Sequence, residues 1–162
     1  MSRGNAALYA SDPTPGPWER WRNHSTAGRY IRFIQTYCRP PKGQGYGQPI
    51  KLGAFQKQFL DEALAEGINT AVMPTPSGNG KSTFGGAVAI AAMFLGNDTG
   101  APQVPIIATT LGQAIRSVYG VAASMVRTSP ELAGRSVIFT GVSTPRIWTP
   151  ANDGLMFPIS QD

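Results

Sequence analysis

The spacing of apolar residues divides the chain into a helical first part and a second part in which strands and helices alternate. In the first part the pattern predicts amphipathic helices at residues 25–38 and about 54–65. The second part predicts strands at 68–73, 104–108 and 136–140, helices at 82–95 and 111–128, and a hairpin within 145–159. Strands that alternate with helices over short links are typical of a parallel sheet covered by helices on both faces. We therefore expect an α/β fold.

Signals at the helix ends support a division into three regions. Ser25 or Thr26 can cap the first helix, and Arg39-Pro40-Pro41 ends it. The second helix has an apolar side, and Gly67 is placed to end it. That apolar side consists of Phe55, Phe59, Leu60, Ala63 and Leu64. We expect a flexible lead-in at 1–24, a helical segment at 25–67 and an α/β core at 68–162.

Composition excludes several classes of protein. The 162 residues are enough for one domain with a buried core. One Cys and one His cannot build a zinc site, a disulfide framework or an iron–sulfur cluster. The histidine, His24, lies in a polar stretch and is expected to be solvated. No run of about 18 apolar residues occurs, so no membrane span is predicted, and the N-terminus lacks a signal-peptide pattern.

Positive charge is concentrated near the N-terminus. Residues 1–57 hold nine Lys/Arg and two Asp/Glu, whereas residues 58–162 hold five and seven. A basic segment can bind phosphates, but it can equally be a solubilising surface. The local candidates for contact with DNA are Arg29, Arg32, Arg39, Lys42 and Lys51.

The segment PTPSGNGKST, residues 74–83, carries the clearest chemistry. It lies between a predicted strand and a predicted helix, where glycines allow backbone amides to cup an anion and the helix adds its own N–H groups. Lys81 would reach the β- and γ-phosphates, and the Ser82 hydroxyl would bind Mg²⁺. The first glycine of the usual motif is replaced by Thr75. The predicted nucleotide-binding residues here are Pro76, Ser77, Gly78, Asn79, Gly80, Lys81, Ser82 and Thr83.

Two further observations concern ATP. Gln56 follows Leu52-Gly53-Ala54-Phe55, and its amide can pair with the adenine edge. Hydrolysis also needs an acidic residue at the end of an apolar strand. The acids that follow the glycine-rich turn and could serve are Asp98, Asp153 and Asp162, and none of them ends such a strand. Asp61, Glu62 and Glu66 are interpreted as the solvated face of a helix.

The ordered set of segments resembles the N-terminal part of phage terminase large subunits. RYIRFIQTYCRPPKGQGYGQPIKLGAFQKQFL resembles the lead-in and adenine-side Gln element of that family, and PTPSGNGKST resembles its P-loop. IIATTLGQAIRSVYGVAASMVRTSPEL and IWTPANDGLMFPISQD resemble segments that follow, so the likeness covers about residues 25–162.

This resemblance implies a P-loop ATPase of the additional-strand class that uses ATP and Mg²⁺. It further implies packaging of double-stranded DNA by a ring of subunits on the portal protein, together with a small terminase subunit, in the host cytoplasm. The chain ends before the acidic motif and the nuclease of that family, so we interpret it as a fragment or prophage remnant. Ser77 stands where the family commonly has Arg, and we expect negligible hydrolysis by this chain alone.

Two alternatives remain open at this stage. A helicase-like ATPase fragment would share the Gln element and the P-loop, and a non-enzymatic remnant or basic DNA-binding module would need neither. In any of these cases a sheet that ends early leaves an unpaired edge and an uncovered apolar face. We therefore expect poor solubility or association unless a partner segment completes the sheet.

Overall fold

The computed structural model describes residues 14–21, 24–74, 80–96, 100–141 and 143–161. Its helices are α1 (Thr26–Tyr37), α2 (Ala54–Ala63), α3 (Lys81–Leu95), α4 (Leu111–Ala114), α5 (Gly120–Thr128) and α6 (Pro130–Gly134), with a π-helical segment (Ile115–Tyr119) between α4 and α5 and a 3-10 turn (Pro17–Arg20). The helices predicted at 25–38, about 54–65 and 82–95 are confirmed, whereas the one predicted at 111–128 is interrupted by the π-helical segment, in which Ser117 has non-helical φ and ψ. Within the described ranges no helix is both long and apolar enough to cross a membrane.

The sheet is mixed, so the prediction of a parallel sheet is wrong. Its strands are β1 (Gln103–Ala108), β2 (Val137–Phe139), β3 (Arg146–Thr149) and β4 (Gly154–Ser160), in the order β1-β4-β3-β2. β1 and β4 are parallel, with Gln103 opposite Leu155 and Ala108 opposite Ser160. β3 is antiparallel to both β4 and β2. The predicted hairpin explains this reversal, because a short turn can join only antiparallel strands.

The predicted strand at residues 68–73 is also wrong. This segment has no regular secondary structure, and it lies at the surface with Ile68 49% and Val72 79% exposed. A segment of β-type composition forms a stable strand only where a neighbouring strand shares its hydrogen bonds and another layer buries its apolar side chains. The four described strands pair with one another and not with this segment, so it gains neither.

β1 lies at one edge of the sheet. Its side chains alternate between exposed and half-buried positions, and Ile107 is 57% exposed. The strand predicted at 104–108 is confirmed, and the alternation shows that one of its faces is open to solvent. One side of β1 has no partner strand among the described residues, which agrees with the expected unpaired edge.

The core forms around α3, which packs against α1, α5 and the sheet. Ile90 and Met93 of α3 have no exposed surface, and neither does Met156 of β4. Trp18 of the 3-10 turn is 2% exposed, and its ring centroid lies 5.2 Å from that of Phe33 and 5.4 Å from that of Phe94. Trp18 and Trp21 therefore belong to the core, which corrects the expected flexible lead-in for this part of residues 1–24. Burial of the Trp18 indole outweighs the loop-like composition around it.

Candidate functional site

A cavity of about 950 Å³ separates the loop of residues 40–51 from the N-terminus of α3. Gly80, Thr83 and Phe84 line one side of it, and Gln56 of α2 also lines it. Lys42 and Lys51 of the loop are among the remaining lining residues. A volume of this size lies in the range of pockets that hold cofactors and nucleotides. We call this space the α3 cavity.

Gly80 starts α3 in a conformation that favours glycine. Its φ and ψ are 71° and 25°, in the left-handed region. An added Cβ would meet nothing within 4 Å, so the backbone angle, and not crowding, is the reason for glycine here. The Phe84 amide donates to the Gly80 carbonyl at 2.9 Å and begins the helical hydrogen-bond pattern. The amides before it in the first turn have no acceptor within the helix and can bind an anion.

The first turn of α3 carries the predicted phosphate and metal ligands. The Lys81 side chain is exposed, and Ser82 and Thr83 are half-buried. This turn contains no acidic residue, so nothing there cancels the positive end of the helix dipole. The other predicted nucleotide-binding residues, Pro76, Ser77, Gly78 and Asn79, lie outside the described residues.

Gln56 lies at the same cavity although 24 positions separate it from Gly80. Its Oε1 accepts a hydrogen bond from the Gly53 amide at 3.0 Å, which caps the start of α2. This bond uses the acceptor part of the amide. The two Nε2 donors are therefore the groups that Gln56 can most readily offer to a ligand.

An aromatic pair fixes the distance between α2 and α3. The ring centroids of Phe59 and Phe84 lie 6.1 Å apart in an edge-to-face arrangement. Phe59 follows Gln56 by three positions on α2, and Phe84 follows Gly80 by four positions along α3, so each ring shares a helix face with a cavity residue. Packing of the two rings consequently brings the Gln element to the glycine turn. Phe55, which was expected on the apolar side of α2, is 57% exposed instead.

The loop wall of the cavity is a series of tight turns. Gly43, Gly45 and Gly47 have φ of 78°, 79° and 73°. The Gly47 amide donates to the Pro40 carbonyl at 3.1 Å, and Arg39 Nη1 donates to the Gly47 carbonyl at 2.9 Å. The sequence predicts Lys42 and Lys51 of this segment as candidates for contact with DNA, but it does not predict the wall of a cavity here. Its alternate glycines between two lysines were the signal for a structured wall.

The predicted DNA-contacting cations have separate environments. The Arg32 guanidinium lies 4.3 Å from the centre of the Trp21 ring, and its Nη1 lies 3.4 Å from Nε2 of the exposed His24. Arg39 binds the loop backbone, whereas Lys42 and Lys51 line the α3 cavity. The prediction that His24 is solvated is confirmed.

None of the acidic residues that the structure describes lines the α3 cavity. Asp153 has φ of 55° in the turn between β3 and β4, and its Oδ1 accepts a hydrogen bond from Trp148 Nε1 at 2.7 Å. The three acids of the 61–66 region are exposed, as expected. Asp98 and Asp162 lie outside the described residues.

The single cysteine is not a candidate nucleophile. Cys38 has no exposed surface, and burial raises the pKa of its thiol to about 12. The reactive thiolate form is therefore disfavoured at neutral pH. Cys38 contributes to the core at the end of α1.

Comparisons with known proteins agree with the resemblance expected from the sequence. No protein-family model matches the chain. The chain is 30% identical over 110 residues to the terminase large subunit of Enterobacteria phage HK97, covering 64% of this chain and 21% of that protein. The crystal structure of the HK97 large terminase aligns with a TM-score of 0.72 at 24% identity, covering 86% of this chain and 28% of that one. The chain is thus similar to a phage terminase large subunit and spans about a fifth of its length.

Proposed function

We propose that this chain, a relative of the phage terminase large subunits, forms the ATP-binding part of a motor that packages double-stranded DNA. The proposal depends mainly on one observation: Gln56 and Gly80, which precedes the first turn of α3, line the same cavity. An amide donor for a base and a phosphate-type helix N-terminus thus line one space of nucleotide size. We further propose that this arrangement belongs to a P-loop fold of the additional-strand class, although residues 68–73, which precede the glycine motif, form no strand.

Each residue of the cavity and of the first turn of α3 has a distinct proposed role; Lys81 and Ser82 belong to that turn but are not among the described residues that line the cavity. The first-turn amides of α3 hold phosphate oxygens, and the exposed Lys81 ammonium neutralises their charge. The Ser82 hydroxyl ligates Mg²⁺, an ion that binds oxygen ligands and neutralises charge on the phosphates. Thr83, which lines the cavity, assists these residues in binding the nucleotide. Gln56 donates from Nε2 to the base, while its Oε1 stays on the Gly53 amide. The residues from Pro76 to Asn79 complete the phosphate loop.

Hydrolysis by this chain alone is expected to be negligible. Asp153 is bound to the Trp148 indole in the β3–β4 turn, which makes it a structural residue and not a metal ligand. Ser77 cannot supply the cation that stabilises transition-state charge in phosphoryl transfer. Turnover therefore depends on groups from other parts of a packaging motor. The portal protein, a small terminase subunit and a ring of large subunits are the proposed partners of that motor.

A binding titration tests this function. A fluorescent ATP analogue with Mg²⁺ is expected to bind the wild-type chain, and Lys81→Ala is expected to weaken binding by roughly tenfold or more, since a charged hydrogen bond is lost. Lys57→Ala provides a matched control, because Lys57 is an exposed lysine that belongs to α2 and not to the first turn of α3. Ser82→Ala should reduce the Mg²⁺ dependence of binding. No binding by the wild type, or equal binding by Lys81→Ala, contradicts the proposal.

A further inference from the structure

Lys42 and Lys51 line the α3 cavity together with Gly80 and Thr83 from the start of α3. We propose that Lys42 and Lys51 bind the phosphate groups of the nucleotide, so that its charge is neutralised from both walls. The inference rests on the proposed function and extends it to residues outside the glycine turn. It changes the role of these lysines from contact with DNA to recognition of the nucleotide.

The charge of the cavity favours a polyanion. Lys42 and Lys51 line it, and no Asp or Glu is among its described lining residues. The first turn of α3 adds the positive end of the helix dipole and likewise has no acid. Fields from one sign of charge on both walls of a cleft add together and attract the opposite charge. A ligand with several negative charges gains more from this cleft than a neutral nucleoside.

The backbone around Lys51 is held by α1. The Ile50 amide donates to the Cys38 carbonyl at 3.0 Å, and the Leu52 amide donates to Gln35 Oε1 at 3.1 Å. Leu52 is buried at 6% exposure. Lys51 therefore lies between two anchored residues, and only its side chain has to become ordered when a ligand binds. This arrangement lowers the entropic cost of forming the contact.

Lys42 is positioned by the turns that follow it. The Gly47 amide donates to the Pro40 carbonyl at 3.1 Å and closes the loop around Lys42. The Tyr46 amide donates to the Gly43 carbonyl at 3.2 Å, and Arg39 holds the Gly47 carbonyl. The left-handed φ at Gly43 lets the chain turn directly after the lysine. The loop thus presents Lys42 from a defined backbone position.

The apolar and the charged residues that line the cavity suit different parts of a nucleotide. Pro49, Ile50 and Phe84 supply apolar surface, which suits the faces of a base. The lysine ammonium groups offer only donors and positive charge, which suit phosphate oxygens. Lys42 and Lys51 are therefore assigned to the phosphates, and the apolar residues with Gln56 to the base.

Binding measurements on charge variants test the assignment. The fluorescent ATP analogue with Mg²⁺ is titrated into wild type, Lys42→Ala, Lys51→Ala and the double variant, with inorganic triphosphate as competitor. Each single variant should weaken analogue binding about threefold and the double variant about tenfold, as expected for exposed charges. Triphosphate should compete less well with the double variant than with wild type. A fluorescent adenosine analogue, which lacks phosphates, should bind all proteins within about twofold of one another.

Conservative variants distinguish a loss of binding caused by loss of charge from one caused by a change in folding. Lys42→Arg with Lys51→Arg keeps both charges and should bind the ATP analogue within about twofold of wild type. Lys57→Ala again controls for loss of an exposed lysine outside the cavity. Thermal unfolding of each variant should match that of wild type, because both lysines are exposed.

Several outcomes would overturn the inference. Unchanged ATP-analogue binding by the double variant, while Lys81→Ala abolishes it, would refute the role of the two lysines and leave the proposed function intact. An equal loss of adenosine-analogue binding would show that they do not act on phosphates. Loss of affinity for duplex DNA with unchanged nucleotide binding would assign them to DNA instead. If wild type does not bind the ATP analogue at all, both proposals fail together.

Discussion

Asn152 connects the β3–β4 turn to the C-terminal end of α3, and its removal is expected to destabilise the fold substantially. Its Nδ2 donates to the Met93 carbonyl at 2.8 Å. Its Oδ1 accepts from Thr149 Oγ1 at 2.5 Å and from the Gly154 amide at 3.0 Å. Met93 lies in the last turn of α3, where carbonyls lack an N–H donor within the helix. Asn152 is therefore both the organiser of the turn and a cap for the helix.

The expected cost of Asn152→Ala follows from these three hydrogen bonds. A net contribution of about 1 kcal/mol for each gives a loss of roughly 2–4 kcal/mol in the free energy of unfolding. The upper part of that range applies because Thr149 is only 2% exposed, so its hydroxyl would be left buried without its acceptor. For a chain of this length the loss corresponds to a fall in Tm of roughly 5–15 °C.

Urea unfolding followed by tryptophan fluorescence measures this loss, with two variants as references. Asn152→Asp keeps the Oδ1 acceptor but loses the donor to Met93, so about 1–2 kcal/mol is expected. Asp153→Asn keeps the acceptor for the Trp148 indole and tolerates φ of 55°, so a change within about 0.5 kcal/mol is expected. An Asn152→Ala protein as stable as wild type would refute the reasoning. An Asn152→Asp protein as stable as wild type would show that the bond to Met93 contributes nothing.

Three further predictions concern packing, titration and the exposed surface. Gly120→Ala should lower the free energy of unfolding in urea by about 1–3 kcal/mol, because a Cβ there would lie 2.5 Å from the Ile115 carbonyl oxygen. Gly134→Ala, which has open space around it, should be neutral or stabilising by up to about 1 kcal/mol. Equal losses of stability in the two variants would contradict this account. Burial raises the pKa of Tyr119 from 10.0 to about 12. The folded state therefore holds the phenol proton more tightly than the unfolded state, and stability should fall as pH rises from 10.0 to about 12. Tyr119→Phe should lose less stability over the same pH range, and an alkaline unfolding curve identical to that of wild type would be evidence against the shift. The exposure of Val72 at 79% predicts concentration-dependent association in light scattering that Val72→Lys reduces, whereas a monomeric wild type at all concentrations would contradict it.

Local chemistry could be predicted from the sequence where neighbouring residues determine it. Ser25 caps α1 by accepting from the Gly28 amide at 3.0 Å, as its residue type suggested. The start of α3 follows Gly80, and the β3–β4 hairpin forms where turn residues interrupt two apolar runs. In each of these cases the determining interactions lie within a few positions along the chain.

Features that depend on distant partners could not be predicted in the same way. Residues 68–73 have the composition of a strand, but no described strand pairs with them. Trp18 lies in a segment that has the composition of a loop, but the rings of Phe33, Tyr37 and Phe94 surround it. Pairing and burial of this kind arise from tertiary packing, which overrides local propensity.

The two walls of the α3 cavity illustrate the same division within one site. The glycine turn and Lys81 form a local motif, so their chemistry was evident from spacing alone. The opposite wall depends on backbone hydrogen bonds that fix residues 50 and 52 to α1, and no spacing in the sequence encodes those contacts. Since Lys51 lies between these anchored residues, its interpretation as a general basic surface residue changes once the packing is known. Substitutions at Lys81 test the local motif, and substitutions at Lys42 and Lys51 test the part of the site that only the fold creates.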